Sequence, residues 1–124
     1  MPEQPLKLLF VCTVSHMRSA TAHEIYRDDP RFEVRSAGTS DLARQVLTPE
    51  LLAWADAVVV MEKHHRQHIR KHFPQVYRHK RIVCPYLPDD YLYMEPQLLT
   101  ALRERVEDVY RRGLLRILPP EPLE

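Results

Sequence analysis

The stretch LKLLFVCTVSHMRSATAHEIY, residues 6–26, changes character at its middle. From Leu6 to Val11 nearly every side chain is apolar, the pattern of a strand covered on both faces, as in a parallel sheet. From Ser19 to Asp28 the residues Ala22, Ile25 and Tyr26 recur at helical spacing, with Ser19 or Ser15 as candidate N-terminal caps. Between the two lie a thiol, Cys12, and an arginine, Arg18, separated by five residues without a glycine.

Working outward, Phe32 to Ser36 alternates and then meets Ala37-Gly38-Thr39, so the chain reads as strand, helix, strand. Thr48-Pro49-Glu50 predicts a short helix to about Ala55, because threonine caps, proline suits the first turn and glutamate suits the helix dipole. Ala57 to Met61 predicts a third buried strand. Glu62 to about Phe73 predicts a charged helix whose least polar stripe is His65, Ile69, His72 and Phe73, stopped by Pro74. Arg81 to Cys84 predicts a fourth strand, followed by the loop PYLPDDYLYMEP. Leu98, Leu102, Val106, Val109 and Tyr110 mark a closing amphipathic helix from Pro96 to about Leu115. Strands alternating with helices imply a small doubly wound α/β domain over residues 1–117, with a disordered tail at 118–124. Active groups in such a fold belong at the carboxyl ends of strands, where Cys12, Gly38, Glu62 and the Asp89 loop fall.

Composition narrows the class. A chain of 124 residues is long enough for one real core, and two cysteines do not make a disulfide framework. The apolar run near the start is too short for a signal peptide, and no run reaches the ~20 apolar residues of a membrane span. A reduced, cytoplasmic protein with no membrane association is expected. The net charge is +1, yet Lys63 to Arg81 holds seven Lys/Arg, five His and no acidic residue. That basic region keeps nucleic acid open as a partner. His64, His68 and His72 share a helical face that could take zinc, but a solvated basic face is the adopted reading, and neither metal nor cofactor is expected.

A loop from a buried strand to a helix N-terminus points several backbone N–H groups at one spot, and the helix dipole adds positive potential there. Such a spot holds a phosphate. The same N–H groups favour the thiolate of a cysteine at the loop's start, making Cys12 a nucleophile aimed at phosphorus. Arg18 offers two parallel donors to phosphate oxygens, and the Ser19 hydroxyl can stabilise the sulfur as a leaving group. The chemistry also needs an acid for the departing alcohol, and Asp89 and Asp90 lie in a loop on the correct edge. Thr13, Val14, Ser15, His16 and Met17 would bind the substrate together with Asp90, and Tyr91 and Tyr93 would line the mouth and pack on an aromatic substrate.

With these residues in place the chain resembles the low-molecular-weight protein tyrosine phosphatases. LFVCTVSHMRSATAHEI resembles that family's first strand, phosphate loop and helix, RSAGTS its second strand, WADAVVVMEKHH its third, and PDDY its Asp-Pro-Tyr acid loop. The resemblance implies Cys12 as nucleophile, Arg18 as phosphate clamp, Ser19 as thiolate stabiliser and Asp89 as general acid, with Asp90 taking that role if the register shifts by one. It also implies a flavodoxin-like three-layer sandwich, its four-stranded parallel sheet in the order 2-1-3-4 with helices on both faces. The function implied is hydrolysis of a phosphorylated substrate, by default a phosphotyrosine protein, through a phosphocysteine, with inorganic phosphate as product.

The chain also departs from the family. Val14 and Ser15 stand where it usually has Gly and Asn, so either the loop backbone differs or that position does not need a positive φ. Met17 replaces a second loop cysteine, leaving Cys12 without a redox partner unless Cys84 is near. The stretch between Gly38 and Trp54 is short, which predicts a more open cleft. Three other readings stay open: a phosphatase for a nucleotide or nucleic-acid end, a non-catalytic phosphate-binding module, and an arsenate reductase, the last disfavoured for want of resolving thiols.

Overall fold

A computed structural model describes residues 4–14, 17–87 and 92–115. Four strands, β1 (Leu6–Cys12), β2 (Phe32–Gly38), β3 (Ala57–Val60) and β4 (Arg81–Val83), alternate with five helices, α1 (Arg18–Tyr26), α2 (Pro49–Trp54), α3 (Lys63–His72), α4 (Pro74–His79) and α5 (Pro96–Arg111). All strand pairings are parallel, in the order β2-β1-β3-β4. The expected flavodoxin-like order is therefore the one observed.

The apolar run of β1 follows from its position. Hydrogen-bonded to β2 on one edge and β3 on the other, it sends Leu8, Phe10 and Cys12 into a core with α1 and α5, and Leu9 and Val11 into a second core with α2, α3 and α4. From Leu8 to Cys12 neither face meets water, so alternation disappears and these positions select for apolar bulk. Helices on both faces also place every crossover loop at the ends of the strands, leaving the carboxyl edge for the site.

Several boundaries differ from the sequence reading, each for a local reason. Pro74 does end α3, but it also opens α4 as its first residue, where the fixed φ suits the turn and the missing N–H has no partner to lose. The cap of α1 is Met17, with no side-chain cap bond, and the Ser19 hydroxyl is used elsewhere. Ser15, the other candidate cap, lies outside the described residues. Cys84 falls just beyond β4. α5 stops at Arg111 because Gly113, at φ 74°, turns the chain and lets the Leu114 N–H reach Val109 O at 3.0 Å. The cap of α2 is as expected, with Thr48 Oγ1 accepting from Leu51 N at 3.1 Å. The tail at 118–124 lies outside the described residues. No helix among the described residues is long and apolar enough to cross a membrane.

Candidate active site

Cys12 is the last residue of β1, paired in register with Gly38 of β2, so the sheet itself fixes where the thiol stands. Its Sγ lies 2.9 Å from Ser19 Oγ, and both groups are buried. Ser19 is the second residue of α1, which places its hydroxyl and the helix N-terminus on the same sulfur.

The loop leaving Cys12 is held from one side. The carbonyls of Cys12, Thr13 and Val14 accept in turn from the N–H groups of Thr39 (3.0 Å), Ser40 (2.9 Å) and Arg44 (3.1 Å). In a trans peptide the N–H points opposite to the carbonyl of its own unit, so the N–H groups of Thr13 and Val14 are turned away from the 39–44 segment. That leaves both N–H groups on the side away from this segment, which is compatible with an anion nest. Among the described residues only Tyr86, Met94 and Gly113 have positive φ, so Val14 sits in an ordinary backbone region. The position where a glycine is usual in the resembling family does not need one here.

Arg18 opens α1 and is only 1% exposed. Its Nη1 donates to Glu62 Oε2 at 2.7 Å and to Leu87 O at 2.6 Å, which fixes the plane of the guanidinium. Glu62 caps α3 directly beyond β3. Burial pushes its carboxyl up, but the bond from Arg18 and the neighbouring His64 outweigh this and hold it below the usual range.

His65, one turn into α3, completes the surroundings. Fully buried, it places Nε2 3.0 Å from Thr13 Oγ1 and receives the Glu62 backbone N–H on Nδ1 at 3.0 Å. Burial, reinforced by the charges of His64 and Arg18, pushes its pKa down to about 3, so the ring is neutral at ordinary pH. The sequence reading placed His65 on a packing stripe and Glu62 at a strand end without giving either a role. The available signal was an acidic residue capping a helix with a histidine three positions on, a variant of the capping box.

Described residues on either side of the segment that carries Asp89 and Asp90 are anchored. Leu87 N donates to Met61 O at 2.7 Å while its carbonyl takes Arg18, and Met94 N donates to Thr21 Oγ1 at 3.0 Å. Asp89, Asp90 and Tyr91, which the sequence assigns to acid and mouth, lie outside the described residues, as do Ser15 and His16. Met17 is half-buried as the cap of α1.

Cys12 and Cys84 are both free thiols and belong to cores on opposite faces of the sheet, so the fold does not bring them together. Glu62, His64 and His65 bring ligating atoms within 4.8 Å of one another, a carboxylate that the sequence reading did not place beside the histidines. Both nitrogens of His65 are already engaged, by Thr13 and by the Glu62 N–H, so that ring could ligate a metal only by giving up one of these bonds.

Residues 39–48 join β2 to α2 without a helix. The large apolar side chains left exposed among the described residues are Val14, Leu42, Val46, Tyr86 and Leu92 to Met94, all in loops at the carboxyl edge of the sheet. In the 39–48 loop they stand among exposed polar side chains, Asp41, Arg44 and Gln45.

No protein-family model matches this chain, and no curated protein matches it. Solved structures do. The chain is similar to a low-molecular-weight protein tyrosine phosphatase from Streptococcus pyogenes, with a TM-score of 0.73 and 15% identity over 94% of this chain and 95% of the other. It is similar to the YwlE arginine phosphatase from Geobacillus stearothermophilus, with a TM-score of 0.66 and 20% identity over 93% and 99% of the two chains. It is also similar to Vibrio vulnificus Wzb in complex with benzylphosphonate, with a TM-score of 0.64 and 19% identity over 88% and 97%. The fold of this chain is thus the fold of the low-molecular-weight protein tyrosine phosphatases.

Proposed function

We propose that the protein is a cysteine-dependent phosphatase that hydrolyses a phosphomonoester through a phosphocysteine. The observation that carries this reading is the buried Cys12–Ser19 pair at 2.9 Å, at the end of a strand and the start of a helix, beside an arginine pinned by Glu62. A pure anion binder has no use for a thiol held against a hydroxyl at that place.

In the first step the Cys12 thiolate attacks phosphorus, the P–O bond to the leaving group breaks, and a carboxylic acid protonates the departing oxygen. Asp89 is assigned that role by its place in the acid loop, with Asp90 the alternative. In the second step the same carboxylate takes a proton from water, which attacks phosphorus and releases inorganic phosphate and the thiolate. Ser19 donates to the sulfur as it leaves. The Arg18 guanidinium and the loop N–H groups hold the equatorial oxygens, where charge builds in both transition states. The mechanism calls for no cofactor, and the two free cysteines fit a reducing compartment such as the cytoplasm.

Release of p-nitrophenol from its phosphate ester tests the class. Turnover by the wild type between about pH 5 and 7, abolished in Cys12→Ser, is expected. Absence of turnover across that window, with phosphate still bound, would leave the binding-module reading instead. The substrate is set by a panel of phosphotyrosine peptides, nucleotides and phosphorylated RNA ends. A phosphoarginine peptide joins it because the Geobacillus neighbour is an arginine phosphatase. Phosphotyrosine is the expected preference, since the Streptococcus neighbour is a tyrosine phosphatase and the exposed Tyr93 at that edge of the sheet suits an aromatic leaving group.

A further inference from the structure

His65 is a histidine whose proton can be placed. Glu62 N–H donates to Nδ1, so Nδ1 carries the lone pair and the hydrogen is on Nε2. Nε2–H therefore donates to Thr13 Oγ1, and the threonine's own O–H is turned away from the ring. Thr13 is the residue directly after the nucleophile. Glu62, whose backbone orients the ring, uses its carboxylate to accept both the His65 backbone N–H and the Arg18 guanidinium. One helix start thus touches the phosphate loop at its first residue and at its closing arginine.

We propose that His65 is a positioning residue for the phosphate loop, holding Thr13 at one end and, through Glu62, the carboxylate that pins Arg18 at the other. The inference deepens the phosphatase reading and rests on it for the meaning of the loop. The need for such a brace is physical. N–H dipoles that share one side of a chain repel one another when no anion is present, and the contacts of residues 39–44 hold the carbonyls of Cys12, Thr13 and Val14 while the Thr13 side chain is held by His65. A buried ring that stays neutral makes the same donation at every working pH.

The test uses the whole protein and reads anion binding rather than turnover. Inorganic phosphate protects Cys12 from alkylation by iodoacetamide, followed at that cysteine by peptide mass, and the concentration for half protection is compared among variants. His65→Phe removes both ring bonds, and Thr13→Val removes the acceptor alone and leaves the core of the ring intact. Each is expected to weaken phosphate protection about tenfold, the scale of one hydrogen bond to a group that holds an ion. The double variant is expected to lose no more than the larger single loss, because the two residues act through one bond. His65→Gln, which can still donate toward Thr13, is expected to recover part of it.

Unchanged protection in Thr13→Val, or losses in the two singles that add in the double, would overturn the proposal. If His65→Phe does not fold, Thr13→Val against His65→Gln decides by the same criteria. A wild type that binds phosphate but does not turn over would remove the hydrolase reading and leave this one standing, so the two fail separately.

Discussion

At the scale of single residues, the site divides into groups that would touch phosphate and groups that hold them. Ser19 belongs to the second, being a buried helix residue whose hydroxyl holds the thiol. Ser19→Ala removes one hydrogen bond to a sulfur that becomes charged, about 1.5–3 kcal/mol, or roughly 10- to 100-fold. Because the bond matters most when the thiolate leaves, the expected result is a rapid burst of p-nitrophenol followed by slowed turnover. Unchanged steady-state kcat would remove Ser19 from the second step. Cys12, Arg18 and Ser19 were legible in the sequence because their spacing is local and the strand and helix around them are strongly patterned. Glu62 and His65 were not, since their contacts with Arg18 and Thr13 span 44 and 52 residues and only strand order brings them together.

At the scale of elements, α5 is held by its buried stripe and by a polar network centred on one side chain. Arg31, just before β2, meets Asp29 at 2.8 Å and Glu107 of α5 at 2.9 Å, and stacks 4.7 Å from the Phe32 ring and 4.8 Å from that of Tyr110. Arg31→Ala is expected to cost about 1–3 kcal/mol, more than an isolated surface ion pair, because the planar cation is shared between two carboxylates and two rings. The shift of the urea midpoint measures it, and a change below about 0.5 kcal/mol would mean the network contributes no more than solvated charge. The four strands and the helices other than α4 were readable from periodicity and capping residues. What periodicity hid was α4, since a proline that ends one helix and begins the next reads only as a stop. The exit of α5 was set too late because Leu114 and Leu115 continue the apolar pattern after Gly113 has turned the chain, and Leu115 is still buried.

At the scale of the whole molecule, burying His65 links the site to global stability. Its pKa is about 3 when folded and near 6.5 when exposed, so the unfolded chain takes up a proton that the folded chain refuses. Stability is therefore full above about pH 6.5 and falls as pH drops toward 3, by at most ~1.4 kcal/mol per pH unit for this group. His68, also lowered chiefly by burial, adds to the same direction. Urea midpoints at pH 7.5 and pH 5, above the range where the carboxylates titrate, are expected to differ in that sense for the wild type. His65→Gln should flatten the difference. An equal slope in that variant would place the acid sensitivity elsewhere.

The ordinary backbone of Val14 has a consequence for the cost of order. A glycine at that position would leave the unfolded chain with many more conformations to surrender, and a β-branched residue in a compatible region spares roughly 0.4–1 kcal/mol of that entropy. The start of the loop is thus shaped before any anion arrives, with its three carbonyls already committed to residues 39–44. On the proposed mechanism, those three residues would keep their place as product departs, so the next anion would meet a loop start already formed.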